Sequence, residues 1–187
     1  MKYTFLIISS FFFITLTGSK CKKDKPISPA DQLPPATQTG ANTFGCLING
    51  GVFLPKGPSL GPILQCAYQY LNTDYSKGYF FQLTASHKNN NGDIVGIAIF
   101  SDSLEISEGS FILSDNKNGN ATAQYSQFTD TGNTVIYSKE TLPGELTITK
   151  FDQINQIVSG TFWFNVVKNA GDTIKITDGR FDMQFTK

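Results

Sequence analysis

The sequence predicts an all-β fold, an antiparallel meander of about 8–10 strands. One reason is that apolar residues recur at every second position in several runs, as at Phe81, Leu83 and Ala85, which is the period of a strand with one buried face. Another is that turn-forming pairs such as Asn91-Gly92 separate these runs at short intervals, and such pairs supply the positive φ angles of tight hairpins. A barrel and a β-sandwich share this period, so the sequence leaves both open.

The runs give strands in chain order. Residues 81–85, 146–149 and 162–166 place apolar side chains at every second position, which is typical of strands that cover a core with one face. Residues 94–100 are apolar almost throughout, which predicts a central strand buried on both faces.

The last run changes parity between Ile176, at an even position, and Phe181, at an odd one. Asp178 and Gly179, which lie between them, could form a two-residue hairpin or a bulge within one long strand. We prefer the bulge, because an extra residue flips the parity and keeps one face inward, whereas either half alone is a short strand.

Residues 1–20 are predicted to be a lipoprotein signal peptide. Lys2 precedes an apolar stretch over residues 3–16, which is shorter than the roughly 20 residues of a membrane-spanning helix and suits a signal peptide. Cys21 follows at the place of a bacterial lipobox cysteine, although Lys20 stands where a small residue is usual. Cys21 is therefore the predicted lipidation site and the membrane anchor; the alternative is a secreted protein cut elsewhere.

Residues 21–42 are polar and hold half of the eight prolines, which predicts a Pro-rich tether. Residues 43–187 follow as a single all-β domain of a common size. If Cys21 carries lipid, Cys46 and Cys66 remain in an oxidising compartment, and we expect them to form a disulfide. Two buried free thiols are the alternative.

Composition excludes some classes of function. The chain has 15 basic and 15 acidic residues and a single histidine. A formal charge of zero without a large basic patch argues against nucleic acid as a partner. We expect no cofactor, no metal site and no catalytic residue, so the protein is not expected to be an enzyme.

Two motifs resemble catalytic or metal sites without their context. Residues 57–61 match the G-x-S-x-G pattern around Ser59, but prolines flank the serine and no helix is predicted after it. His87, the single histidine, lies beside an Asn-rich turn. Residues 115–120 resemble a calcium loop but lack its acidic spacing. Asp172, Asp178 and Asp182 could gather oxygens, but aspartates are also ordinary turn formers.

Trp163 is the candidate binding residue. By the alternation of its strand it points away from the face of Phe162, and an outward tryptophan favours a binding surface. With Tyr68, Tyr70 and Tyr79 it could form one aromatic face for a sugar or a partner.

Three segments carry a resemblance to a known family. Residues 42–50 (NTFGCLING), 159–164 (SGTFWF) and 176–182 (ITDGRFD) resemble a family of Bacteroidota lipoproteins of unknown function. The resemblance implies an all-β protein held on the membrane outside the inner membrane, and it implies no catalytic residue.

The function expected from the sequence is that of a membrane-anchored envelope lipoprotein with a binding or structural role. Its localisation would be the outer membrane, facing the periplasm or the cell surface. Its partner would be the membrane through acylated Cys21, together with a protein, a glycan or a small apolar ligand. The alternative is a calycin-like barrel that holds a small apolar ligand among inward side chains.

Overall fold

A computed structural model describes residues 27–57, 62–74, 77–168 and 171–187. These residues form eleven strands and one short 3₁₀ helix, and the strands make two antiparallel sheets. The helix is Pro29–Gln32, and the strands are β1 (Thr43–Ile48), β2 (Gly51–Phe53), β3 (Leu64–Asn72), β4 (Lys77–Lys88), β5 (Ile94–Ser101), β6 (Gly109–Ile112), β7 (Ala121–Thr129), β8 (Gly132–Tyr137), β9 (Gly144–Asp152), β10 (Ile157–Val167) and β11 (Thr173–Gln184).

The two sheets pack face to face as a sandwich. Sheet A has the strand order β2-β1-β11-β10-β9-β6, and sheet B has the order β3-β4-β5-β7-β8. The prediction of an all-β antiparallel fold is confirmed, and of the two architectures left open the sandwich is the one formed. No closed barrel exists in the part of the chain that the structure describes.

The core lies between the sheets and follows the alternation read from the sequence. Phe81, Leu83 and Ala85 of β4 are buried, and so are Phe162 and Phe164 of β10. Because burial of such side chains contributes about 1.5–3 kcal/mol each, this inner layer is the main source of stability.

Strand β5 differs from its prediction. Ile97 and Ile99 are fully buried, but Ala98 and Phe100 on the other face are half-exposed. The strand lies centrally in sheet B, as expected, but only its inner face is covered. An apolar run alone does not reveal whether a second layer covers the other face.

The bulge in the last strand is confirmed. Strand β11 runs unbroken through the parity change, and its register to β10 and to β1 shifts there. Asp178, at the shift, has a φ of 54°, the left-handed conformation that aspartate tolerates better than most residues. Gly179 beside it has no room for a side chain, since a Cβ would lie 2.5 Å from the ring of Phe162.

The described part of the predicted tether is docked on the outer face of sheet A. We call residues 27–42 the N-terminal arm. Leu33 and Pro34 pack over Gly45 of β1, where a Cβ would lie 2.7 Å from Pro34. Strand β1 begins at Thr43, and the arm before it is held by the domain.

Asp182 of β11 holds the arm. Its side chain is 1% exposed and accepts a hydrogen bond of 2.8 Å from the Ser159 hydroxyl of β10. From the arm it accepts hydrogen bonds from the Thr37 hydroxyl at 2.6 Å and the Gly40 N–H at 2.7 Å, and further ones from Thr39 and Ala41. A buried charge is tolerated only when it is satisfied in this way.

These hydrogen bonds set the ionisation of Asp182. Burial alone would raise the pKa of the Asp182 carboxyl, but the donors, led by Thr37, Thr39 and Ser159, outweigh it and hold the pKa well below its ordinary range. The carboxylate is therefore the form that the fold stabilises.

The predicted disulfide is not formed, which corrects that expectation. Cys46 on β1 and Cys66 on β3 are free thiols, both buried in the core. They belong to opposite sheets, and sheets pack about 10 Å apart, whereas a disulfide needs Cα atoms within about 7 Å. Both cysteines act as small apolar side chains, and burial raises the pKa of the Cys46 thiol to about 12 and that of Cys66 as well.

The predicted signal peptide and the lipidation site, Cys21, lie outside the described residues. Among the residues that are described, no helix is long and apolar enough to cross a membrane.

Replacement of Asp182 by Asn is expected to lower the free energy of unfolding by about 2–3 kcal/mol, since hydrogen bonds to a buried charge are lost. It should also release the arm to proteases. Chemical denaturation and limited proteolysis measure both effects. Asp178→Asn, on the same strand but exposed, is the matched control and should change neither. An arm equally resistant in Asp182→Asn would contradict its proposed attachment.

The stability of the native chain should fall in acid because of Asp182. Its pKa is lower in the folded than in the unfolded chain, so its contribution is complete above the unfolded value of about 3.9 and is lost as the pH falls below it. Denaturation between pH 6 and pH 2 should show a steeper loss for the native chain than for Asp182→Asn. Parallel curves would show that Asp182 does not carry this dependence.

The two core thiols should be unreactive until the chain unfolds, because thiolates are the reactive form and both thiols are buried. An aromatic disulfide reagent should label Cys46 and Cys66 only in denaturant, and the intact mass should not change on reduction. A gain of two hydrogens on reduction would instead reveal a bridge.

Candidate functional site

The outer face of sheet B carries a groove of about 500 Å³, which we call the sheet B groove. It extends over all five strands of the sheet and the two loops next to them. Its lining residues are Gln69, Leu71, Phe80, Phe81, Gln82, Thr84, Ala98, Phe100, Ser101, Asp102, Asn116, Gln124 and Tyr137.

The register of sheet B brings these side chains together. On one row, Ala98 of β5 pairs with Thr84 of β4 and with Gln124 of β7, and Gln124 pairs with Tyr137 of β8. Paired residues share a face of the sheet. The methyl group of Ala98 therefore forms a low floor between two longer polar side chains.

Aromatic rings flank this floor. Phe100 and Tyr137 meet edge to face, with ring centroids 6.2 Å apart and an interplanar angle of 86°. Tyr137 is 40% exposed, and Phe80 adds a third, half-exposed ring. Rings fixed at a surface in this way offer apolar faces whose ordering has a low entropic cost.

Four side-chain amides line the groove, those of Gln69, Gln82, Asn116 and Gln124. None of them hydrogen-bonds to another residue within the ranges that the structure describes. An amide offers two donors and an acceptor with two lone pairs, so these four groups remain open to a ligand.

The lining carries little charge. Asp102 is the only charged residue among the described residues that line the groove, and its carboxylate accepts a hydrogen bond of 3.1 Å from the Ser103 hydroxyl. Without Lys or Arg, this lining does not attract phosphate or sulfate groups.

Trp163 points outward as predicted and is 42% exposed. It lines a second groove of about 450 Å³ on the outer face of sheet A, at the bulge, which we call the Trp163 groove. Arg180 and Asp178 lie beside it, and the Arg180 Nε donates to the Asp178 carbonyl at 3.4 Å. Ala36 of the arm forms part of the wall. A binding role for Trp163 stays a prediction.

The tyrosines grouped with Trp163 in the sequence lie elsewhere, which corrects the idea of one aromatic face. Tyr68 is buried and stacks on Tyr79 at 5.2 Å. Tyr70 is exposed and meets Tyr79 edge-on at 5.1 Å. All three belong to sheet B, whereas Trp163 belongs to sheet A.

His87 has a structural contact. Its Nδ1 lies 2.7 Å from the Leu54 carbonyl oxygen, so Nδ1 donates the hydrogen bond, because a carbonyl only accepts. The ring also lies 6.1 Å from that of Phe53. Ser59, the serine of the G-x-S-x-G text, lies outside the described residues.

The aspartates considered as oxygen ligands do not gather. Asp182 is buried beneath the arm, whereas Asp178 is exposed at the bulge. Asp115 stabilises its own loop, because its backbone carbonyl accepts a hydrogen bond of 2.9 Å from the Asn120 side-chain amide. No group of three His, Cys, Asp or Glu residues suited to a metal ion is found among the described residues.

A comparison with known families gives one match. Residues 81–183, more than half of the chain, match the family described as a domain of unknown function, DUF6252. The chain belongs to the DUF6252 family. No curated protein and no solved structure matches it significantly.

The DUF6252 region includes most of the sheet B groove. It begins at Phe81 and so contains the groove residues on β5, β7 and β8 and most of those on β4. It also contains Trp163 and Asp182. Most residues of both outer faces of the sandwich therefore belong to the segment that matches the family.

The sheet B groove was not predicted from the sequence. Gln82 and Thr84 were recognisable as outward residues of β4 from the alternation alone. Their neighbours Ala98 and Gln124 could not be assigned to the same row, because the cross-strand register depends on turn lengths and bulges that the period does not encode.

Proposed function

We propose that this DUF6252 protein is a lipoprotein of the cell envelope of Bacteroidota that binds a ligand without catalysing its conversion. The lipobox-like Cys21 behind an apolar segment supports the anchor. The open sheet B groove, whose described lining carries a single charge, supports the binding role. The outer membrane, on its periplasmic or its outer side, is the proposed location.

One observation carries the proposal most directly: the arm and the sheet B groove lie on opposite faces of the sandwich. The arm is tied to the outer face of sheet A through Asp182, and the groove is on the outer face of sheet B. An anchor that reaches the domain through the arm would thus leave the groove uncovered.

The length of the chain before the arm limits the distance from the membrane. Ile27, the first described residue, follows Cys21 by six positions, which span at most about 20 Å when fully extended. The domain would stay near the lipid surface, with sheet A closer to it. A ligand would approach from the other side.

The lining of the sheet B groove also argues against some classes of partner. A nucleic acid needs a cationic surface, and this groove offers one carboxylate and no cation among its described lining residues. The alternative, a calycin-like barrel around an apolar ligand, depends on a closed barrel, which the described strands do not form. A protein, a glycan or a small ligand at the surface remains within the proposal.

The anchor is tested by Cys21→Ala in the full chain. Loss of the acylated thiol should abolish incorporation of labelled palmitate and move the protein to the soluble fraction, because acyl chains contribute about 0.8 kcal/mol per buried methylene. Cys46→Ala is the matched control and should keep both label and location.

Unchanged membrane association of Cys21→Ala would overturn the anchor. Palmitate labelling of Cys21→Ala would point to another acylated residue and overturn the assignment of Cys21.

A further inference from the structure

We infer that the sheet B groove binds a neutral glycan. The inference rests on the proposed binding function and adds the chemical class of the ligand. It is drawn from three properties of the lining together: its rings, its unused amides and its charge.

The aromatic rings of the groove match the C–H faces of a sugar. A pyranose presents patches of C–H bonds on its faces, and such patches pack on aromatic rings. Tyr137 and Phe100 hold a fixed edge-to-face arrangement at the groove, and Phe80 stands farther along it. Apolar contact of this kind needs pre-ordered rings, since ordering flexible side chains would offset the gain.

The side-chain amides of the groove match the hydroxyl groups of a sugar. Neighbouring hydroxyl groups of a sugar both donate and accept, and a planar amide can do both at once. Gln82 and Gln124 lie on the two strands that flank β5, next to the low floor at Ala98. Their hydrogen-bonding capacity is unused by the described chain, so a ligand displaces only water.

The charge of the groove lining favours neutral glycans over anionic ones. The lone carboxylate of Asp102 would repel sulfated, phosphorylated or uronic acid chains, and no described lining residue is a cation that could pair with them. A wholly apolar ligand fits poorly, because it would bury these amides without partners, which costs free energy. A neutral ligand rich in hydroxyl groups satisfies both conditions.

The groove is also long enough for more than one sugar. It reaches from Gln69 on β3 to Tyr137 on β8, which is four strand intervals or about 19 Å across the sheet. An oligosaccharide chain, rather than a monosaccharide, is therefore the expected ligand.

The test uses the full chain extracted in a detergent without a sugar headgroup. The probes are neutral polysaccharides, namely glucan, mannan, xylan and galactan, examined by affinity electrophoresis, and then the hexasaccharide of any that binds, examined by calorimetry. At least one should bind saturably. Heparin and polygalacturonate, the charged probes, should not.

Variants locate the binding. Tyr137→Ala and Gln82→Ala should each weaken the measured Kd tenfold or more, while both variants stay folded, with a cooperative thermal transition, because both side chains are exposed. Phe128→Ala is the control, since it removes an exposed aromatic side chain of β7 that does not line the groove, and it should keep the Kd. Binding lost in Trp163→Ala but kept in Tyr137→Ala would overturn the location.

The same preparation separates failure of the inference from failure of the proposed function. If no neutral polysaccharide binds, but a fatty acid or a peptide raises the unfolding temperature of the native chain and not of Tyr137→Ala, the glycan class is wrong and the binding function stands. If no probe of any class binds at the groove, both are overturned.

Discussion

Asp182 is a buried carboxylate at which two structural elements meet, the central strands of sheet A and the N-terminal arm. It accepts hydrogen bonds from Ser159 on the neighbouring strand and from Thr37, Thr39, Gly40 and Ala41 of the arm. A charge in this position is stable only while the arm supplies donors, so the fold and the path of the arm depend on each other. Asp182 thereby fixes the path of residues 37–41, the part of the arm next to β1.

The proposed place of the binding site follows from strand alternation together with the position of the arm. Strand alternation commits one face of each sheet to the core, which leaves two outer faces for any ligand. The arm covers part of sheet A, next to the Trp163 groove, and sheet B keeps its outer face open. An apolar strand, β5, thus contributes Ile97 and Ile99 to the core and Ala98 and Phe100 to the groove. One strand supplies both stability and the floor of the candidate site.

Local patterns in the sequence predicted the features that depend on neighbouring residues. The alternation identified β4, β9 and β10, and the parity change identified the bulge at Asp178 in β11, because both are properties of consecutive side chains. Features that depend on distant residues were missed. The Cys46–Cys66 bridge was expected from compartment and count, but the two residues lie on opposite sheets. The docking of the arm and the rows of the sheet B groove also require contacts over many residues, so neither was visible in the sequence.

Under the proposed function, a ligand occupies the face of the sandwich that is remote from the arm. Hydroxyl-radical footprinting of the protein in its own envelope membranes tests this even while the ligand is unidentified, since it reports the solvent accessibility of individual aromatic side chains. Compared with the purified chain, Tyr137 and Phe100 should be shielded in the envelope while Trp163 labels equally in both. Shielding of Trp163 with Tyr137 fully labelled would instead place the ligand on sheet A.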